Sequence, residues 1–146
     1  MNSKSIFEVI RIQKEEDFSA SRTIRKTVFV DEQMVPAENE FDEYETESVH
    51  VLVRLNGKPV GTGRIRPKDG VMKCERVCVL KEARMHGVGK TVMKALEEIA
   101  LEKGYRKTML HAQTHALPFY RKLGYVQTSD VFYEEGIPHV SMEKNL

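Results

Sequence analysis

A strand, a glycine-bearing loop and an amphipathic helix follow one another in the middle of the chain, and this unit limits the possible folds more than any other segment. Residues 71–80 form the longest strand candidate, and Gly104 is placed to end the helix. The apolar stripe of that helix consists of Val88, Val92, Ala95, Leu96, Ile99 and Ala100. Between strand and helix lies the glycine loop, residues 84–90, whose backbone N–H groups can converge on an anion. The sequence therefore predicts a phosphate-binding site.

Two well-known phosphate-binding motifs do not fit the glycine loop. A P-loop requires a glycine five residues before its final glycine, and Arg84 stands at that position. A dinucleotide fingerprint requires a third glycine where Val92 stands. Nucleotide hydrolysis is also disfavoured because no suitable magnesium-binding aspartate follows an apolar strand. The pattern that remains is Arg84-x-x-Gly87-x-Gly89.

That pattern resembles the pyrophosphate loop of the GCN5-related N-acetyltransferase (GNAT) family, which has Gln or Arg, two residues, Gly, one residue, and then Gly or Ala. The neighbouring segments occur in the family's order as well. Glu75 lies near the start of the preceding strand, and residues 119–125 are similar to the family's aromatic segment. Residues 135–139 resemble the ending of a bacterial subgroup. The resemblance covers nearly the whole chain and implies a three-layer GNAT fold.

The remaining patterns agree with that fold. Alternating apolar residues predict strands at 7–12, 50–55, 60–66, 109–113, 125–133 and 139–142. Helical spacing predicts helices at 18–33, stopped by Pro36, and at 116–123, ended by Gly124. No repeat or Pro-rich linker divides the chain, so we expect one domain over residues 1–146. The predicted class is α+β, a central mixed sheet flanked by helices, which the resemblance makes mostly antiparallel.

Charge and cysteine content argue against several classes of function. Lys and Arg number 23 and Asp and Glu 22, so no global positive field can gather nucleic acid or an anionic membrane. No apolar run has the length of a signal peptide core or a membrane span, so we expect a cytoplasmic protein. Cys74 and Cys78 are expected to share one strand face as reduced, buried thiols. No ligand pair at metal spacing accompanies them, so no metal site is predicted.

The resemblance to GNAT enzymes implies that acetyl-CoA is the co-substrate. Backbone groups of residues 77–79 would pair with its pantetheine arm as a further strand would, or these residues would only form core. Gln113 would hydrogen-bond to the same arm, or it would be a surface glutamine. Arg84 and Lys90 would screen the charge of the pyrophosphate, which the loop amides approach. The expected acetyl-CoA-binding residues are Val77, Cys78, Val79, Arg84, Met85, His86, Gly87, Val88, Gly89, Lys90, Gln113, Phe119 and Tyr120.

Three residues are candidates for the proton transfers that acetylation of an amine requires. Tyr120 is the candidate acid, because a phenol could protonate the departing CoA thiolate; the alternative is an aromatic side chain that only packs. Glu75 and His139 compete as the base that deprotonates the amine. Glu75 matches the family's strand glutamate, whereas the imidazole of His139, with an intrinsic pKa of about 6.5, suits a base at neutral pH. Glu75 could instead form a structural ion pair, and His139 could be a solvent-facing strand end.

The acceptor is expected to be an amine on a small molecule or peptide, but the residues conflict on its charge. An acidic run would favour a cationic acceptor, or would simply be a solvated loop. It consists of Glu38, Glu40, Asp42, Glu43, Glu45 and Glu47. Arg64 and Arg66 share one strand face and would instead hold a carboxylate or phosphate. A non-catalytic acyl-CoA-binding module is the alternative function, and the sequence leaves both the acceptor and a homodimeric state open.

Overall fold

A computed structural model describes residues 6–146, which fold into eight strands and four α-helices. The strands are β1 (Phe7–Arg11), β2 (Val49–Leu55), β3 (Lys58–Lys68), β4 (Val71–Val79), β5 (Lys107–Gln113), β6 (Val126–Gln127), β7 (Phe132–Glu134) and β8 (Ile137–Asn145). The helices are α1 (Glu15–Arg25), α2 (Ala37–Glu40), α3 (Val88–Glu102) and α4 (Leu117–Lys122). α1 continues directly into wider π-helical turns over Lys26–Glu32.

The described strands form one sheet in the order β1-β2-β3-β4-β5-β8-β6, with β7 also paired to β8. β4 and β5 run parallel, and the other neighbouring strands run antiparallel. A parallel pair needs a long crossover connection, which α3 provides. The predicted α+β class, with a mostly antiparallel mixed sheet flanked by helices, is confirmed.

The two long helices cover opposite faces of the sheet. Leu96 of α3 packs in one apolar cluster with Ile65 of β3, and Ile24 of α1 packs in another with Leu52 of β2. All four side chains are buried. Because the central strands are covered on both faces, residues 60–66 of β3 are buried without interruption. The core therefore lies in two layers, one on each side of the sheet.

Two glycines in β3 determine how closely α3 approaches the sheet. A Cβ atom on Gly61 would lie 2.5 Å from Cγ1 of Val88, and one on Gly63 would lie 2.8 Å from Cγ1 of Val92. Such separations are too short for van der Waals contact, so α3 packs directly on the β3 backbone. The amino-terminal end of α3, which follows the glycine loop, is thereby held against the middle of the sheet.

A β-bulge interrupts β4 midway along its length. Thr62 of β3 pairs with Cys78, but Arg64 pairs with Glu75, so two β4 residues face one β3 residue between these pairs. Arg76 at the bulge has a left-handed φ of +56°. A bulge of this kind bends its strand and increases the local twist. It turns the second half of β4 away from its straight course.

The bulge corrects one expectation about the cysteines. Strict alternation places Cys74 and Cys78 on the same face, but Cys74 packs in the cluster under α3 and Cys78 in the cluster under α1. The extra residue at the bulge shifts the alternation by one position, which puts the two thiols on opposite faces. Both thiols are free and buried, as expected.

The first helical segment differs from the prediction in its bounds. It begins at Glu15, and its turns widen from Lys26 onwards. Met34 then adopts a left-handed φ of 65°, and Pro36 precedes α2, a short helix within the acidic run that the pattern did not predict. π-Helical turns often occur at functional sites. No helix in residues 6–146 is long and apolar enough to cross a membrane.

The strand predicted at 125–133 is wrong, because the structure has two short strands there, β6 and β7. The backbone N–H of Thr128 still donates to the carbonyl of Ser141, at 2.8 Å. The next hydrogen bond between the two segments does not go to a backbone carbonyl. The N–H of Ser141 donates instead to the side-chain Oγ of Ser129, also at 2.8 Å. A serine side chain that accepts the bond in place of a carbonyl ends the ladder. The chain then leaves β8 and returns as β7.

Candidate active site

A cleft of about 960 Å³ opens where β4 and β5 separate. The two strands are paired only between residues 72–74 and residues 108–110. Beyond the bulge, residues 77–79 have no strand partner on the β5 side within the described chain, although they line the cleft. This free edge of β4 can pair with a ligand that carries amide groups, as an added strand does.

The glycine loop closes one end of the cleft at the start of α3. Gly87 caps the helix with a left-handed φ of 81°. The first helical hydrogen bond runs from the N–H of Thr91 to the carbonyl oxygen of Gly87, at 3.1 Å. The N–H groups of Val88, Gly89 and Lys90 therefore have no acceptor within the helix. These three residues line the cleft. A helix terminus of this kind can bind an anion, which is the role that the sequence predicts for it.

Both loop glycines have a structural reason to be glycine. The position of Gly87 is open, with only Cζ of Phe7 near a virtual Cβ atom, at 3.9 Å, so a ligand can approach the backbone there. Its left-handed φ also favours glycine. A Cβ atom on Gly89 would lie 3.0 Å from Cζ of Phe119. Gly89 thus allows the aromatic ring of α4 to pack beside the loop.

Arg84 makes an ion pair that the sequence did not predict. Its guanidinium donates two hydrogen bonds to Glu32 on the π-helical segment, at 2.8 and 2.9 Å, and its Nε donates to the carbonyl of Val79 at 3.0 Å. The pair with Glu32 would have to open or be shared before Arg84 could screen a bound anion. Met85 is fully exposed at the cleft. Among the expected acetyl-CoA-binding residues, His86 is the one that does not line the cleft.

Tyr120 lies in the cleft wall opposite β4. The residue is 9% exposed, and its hydroxyl takes part in none of the hydrogen bonds within residues 6–146. Its ring packs edge-on against Phe119, with centroids 4.9 Å apart. Burial raises the pKa of the Tyr120 hydroxyl above its ordinary value. The phenol therefore keeps its proton at neutral pH, as a proton donor must.

His139 lies in β8 opposite Gln113 of β5 and lines the same cleft. Its Nδ1 is 2.7 Å from the carbonyl oxygen of Ile137, which assigns the Nδ1 proton to that hydrogen bond. Nε2 is then the nitrogen with the free lone pair in the neutral ring. The ring stacks on Phe132, with centroids 6.1 Å apart, so its orientation is fixed.

Glu75 is held by several cations. Its carboxylate lies 2.9 Å from Arg64, 2.8 Å from Arg66 and 3.1 Å from Lys73. Burial alone would raise its pKa, but the hydrogen bonds and charges of Arg66, Lys73 and Arg64 outweigh burial and lower the pKa of Glu75 to about 2. A carboxylate with so low a pKa is a weak proton acceptor. The geometry favours the ion-pair interpretation of Glu75 over the role of direct base.

The acidic run folds back onto the arginines of β3 and β4. Asp42 lies 2.8 Å from Arg64 and 3.2 Å from Arg76, and Glu45 also contacts Arg64. Glu40 is buried between Arg25, at 2.9 Å, and Arg76, at 3.1 Å. Glu40, Asp42 and Glu45 are thus paired with arginines of the protein itself, and Arg64 with acids, so none of these four side chains is free to select an acceptor by charge. Glu38 and Glu43 of the same run form no ion pair within residues 6–146, and the sign of the acceptor's charge stays open.

The sequence missed several residues that line the cleft together with the expected ones. Gln33, directly after the π-helical segment, accepts a hydrogen bond from Gln113, at 2.8 Å, and Asn39 on α2 donates to Glu135, at 3.2 Å. His111 also lines the cleft, with its Nδ1 3.1 Å from Glu134. Alternation along β5 could have identified His111, because it lies two residues before Gln113 on the same face. The other contacts join distant segments and have no local signal.

Comparisons with known proteins agree with the geometry of the cleft. An acetyltransferase (GNAT) domain model matches residues 12–146. The uncharacterized N-acetyltransferase YjcF of Bacillus subtilis is 50% identical over 134 residues, covering 91% of this chain and 96% of the relative. The crystal structure of a candidate N-acetyltransferase from Lactobacillus plantarum has a TM-score of 0.88 at 33% identity, covering 96% and 98% of the two chains. A GNAT family acetyltransferase from Elizabethkingia anophelis, with acetyl-CoA bound, shares the fold at a TM-score of 0.73 and 16% identity, covering 96% and 98%.

Proposed function

We infer the function from the family: the chain belongs to the GNAT acetyltransferases. It transfers the acetyl group of acetyl-CoA to a primary amine, with both substrates bound together and the amine attacking the thioester directly. One observation carries this proposal. One cleft beside the start of α3 holds a phenol, Tyr120, whose hydroxyl makes no hydrogen bond within residues 6–146, and an imidazole, His139, whose Nδ1 is hydrogen-bonded while its Nε2 is not.

The cleft suits acetyl-CoA along its whole length. The amides at the start of α3 provide donors for a pyrophosphate, as helix termini do for anions generally. The free edge of β4 provides backbone partners for the amide groups of a pantetheine arm. Acetyl-CoA is bound to the Elizabethkingia anophelis acetyltransferase, whose fold this chain shares. These features support acetyl-CoA as the co-substrate.

Two protein groups can move the protons of the reaction. The amine nitrogen attacks the carbonyl carbon, so a C–N bond forms and the C–S bond breaks. Nε2 of His139 takes the proton that the amine loses, and the hydroxyl of Tyr120 protonates the departing thiolate. We assign the role of base to His139 rather than Glu75, because the pKa of Glu75 is lowered to about 2. The acceptor is an amine of a small molecule or peptide.

A screen of acceptors tests the proposal. Acetyl-CoA is incubated with amines, amino sugars, polyamines and peptides, and the released thiol is measured. We expect amine-dependent release for the wild type, with a rate that rises through an apparent pKa of about 6 to 7. His139→Ala should slow the reaction and remove that pKa, whereas a Glu75 base would leave the profile of His139→Ala unchanged.

The same screen separates catalysis from the alternative function. A non-catalytic acyl-CoA-binding module would bind acetyl-CoA in calorimetry but release no thiol with any acceptor. Glu143→Gln serves as the control variant, because Glu143 pairs with Lys107 at 3.1 Å in the part of β8 that does not line the cleft. This variant should keep the wild-type rate.

A further inference from the structure

Two imidazoles flank one carboxylate at the end of the cleft formed by β5, β7 and β8. Nδ1 of His111 is 3.1 Å from Oε2 of Glu134, and Nε2 of His139 is 3.9 Å from Oε1 of the same residue. Phe132 lies beside both rings, edge-on to His111 with centroids 4.9 Å apart and stacked on His139 at 6.1 Å. The carboxylate therefore lies nearest to the one nitrogen of His139 that is free to accept a proton.

Strand pairing fixes this cluster. On β5, His111 pairs with Ser141 and the following same-face residue, Gln113, pairs with His139. On the side of β8 away from β5, Phe132 of β7 pairs with His139. Glu134 follows two residues later on the same face of β7, which brings its carboxylate level with both imidazoles. The side chain of Glu134 is 44% exposed, so solvent reaches the cluster.

From this geometry we propose that Glu134, held by His111, is a positioning residue that stabilises the positive charge His139 acquires during the reaction. The inference rests on the proposed function, since it assumes that His139 is the base. When Nε2 takes the amine proton, an imidazolium forms 3.9 Å from a carboxylate, and an attraction appears that the neutral ring does not have. Glu134 itself remains ionised, and the proton leaves His139 to solvent after the product departs.

Other charged groups that line the cleft on β4, on α2 and in the turn after β7 already have partners within the described residues. They are Lys73, Glu75, Arg76, Glu40 and Glu135. Lys73 lies 3.1 Å from Glu75, and Arg76 lies 3.1 Å from Glu40. Glu135 accepts a hydrogen bond from Asn39. The hydrogen bond from His111 also lowers the pKa of Glu134, which keeps the carboxylate ionised at neutral pH.

An NMR titration of the histidine rings tests the inference without any knowledge of the acceptor. The free full-length protein is titrated from about pH 5 to pH 9, and the pKa of His139 is compared between wild type and Glu134→Gln. We expect the pKa of His139 to fall by about one unit in this variant, because an adjacent opposite charge favours the charged form. Glu134→Asp keeps the charge and should bring the pKa of His139 most of the way back to the wild-type value. Glu143→Gln should leave the pKa of His139 unchanged.

Two results would overturn the inference: an unchanged pKa of His139 in Glu134→Gln, or a fall confined to His111. Kinetics provide a second readout. With any amine that the acceptor screen identifies, Glu134→Gln should lower kcat about tenfold, leave KM nearly unchanged and move the apparent pKa down by the NMR difference. If His139→Ala loses activity but Glu134→Gln matches the wild type, the inference alone fails. If the wild type acetylates no amine, the proposed function fails, and the inference with it.

Discussion

Replacing Glu75 by glutamine should remove a contribution to the free energy of unfolding that depends on pH. The carboxylate is 10% exposed and lies within ion-pair distance of Arg64, Arg66 and Lys73. Its pKa is lowered from 4.5 in the unfolded chain to about 2 in the folded protein. A depressed pKa stabilises the fold at pH values above 4.5, and this stabilisation is lost as the pH falls towards 2.

The size of the effect follows from the difference in pKa. A shift of about 2.5 units corresponds to about 3 kcal/mol at pH 7, because one unit is worth about 1.4 kcal/mol. At pH 3 the same two pKa values give a stabilisation by Glu75 of about 1.4 kcal/mol. The gap in the free energy of unfolding between wild type and Glu75→Gln should therefore narrow by about 2 kcal/mol from pH 7 to pH 3.

Urea unfolding of both proteins at the two pH values measures this gap. Acids that share no partner with Glu75 titrate alike in both proteins, so their contributions cancel in the comparison. Glu143→Gln, which breaks a surface pair with Lys107, should cost well under about 1 kcal/mol at either pH. A gap that is the same at pH 3 as at pH 7, or a variant as stable as the wild type at pH 7, would refute the reasoning.

Three further changes test the loop, the acid and the packing of α3. Gly87→Asp should abolish acetyl-CoA binding in calorimetry, since a side chain and a negative charge would both occupy the anion position; a folded variant with wild-type affinity would contradict the site. Tyr120→Phe should lower turnover about 10²- to 10⁴-fold with acetyl-CoA affinity nearly intact, and equal turnover would make Tyr120 a packing residue. Gly63→Ala should destabilise the fold by about 1 to 3 kcal/mol in thermal unfolding, because its Cβ atom would lie 2.8 Å from Val92; an unchanged melting temperature would show that α3 can shift.

The sequence predicted the features whose information is local. The glycine loop could be recognised because the spacing of Gly87 and Gly89 and the helix after them lie within one short segment. The bulge could not, because the residue with the left-handed φ is Arg76, and nothing in its own segment distinguishes it from an ordinary strand residue. The break in the strand predicted at 125–133 depends on a hydrogen bond from Ser141 to Ser129 across strands.

The candidate site shows the same division between local and distant information. Glu75 and His139 could be proposed from their own segments, but their environments could not. The low pKa of Glu75 arises from Arg64 and Arg66 on β3 together with Lys73 on β4, and the two strands come together only on folding. Similarly, Glu134 lies near His139 only because β7 returns to β8 after the chain has left it.

The bulge at Arg76 is one extra residue in β4, and the separation of β4 from β5 at the cleft depends on that residue. Glu75 faces Arg64 and Arg66, and Val77 is the next side chain to pack under α3. Removal of Arg76 in frame would therefore restore regular alternation without moving either side chain to the other face. The apolar layers would persist, at the cost of the ion pairs of Arg76 with Glu40 and Asp42. β4 could then continue straight alongside β5, and the gap between them would close. We expect such a deletion variant to keep its fold and to lose the cleft between β4 and β5.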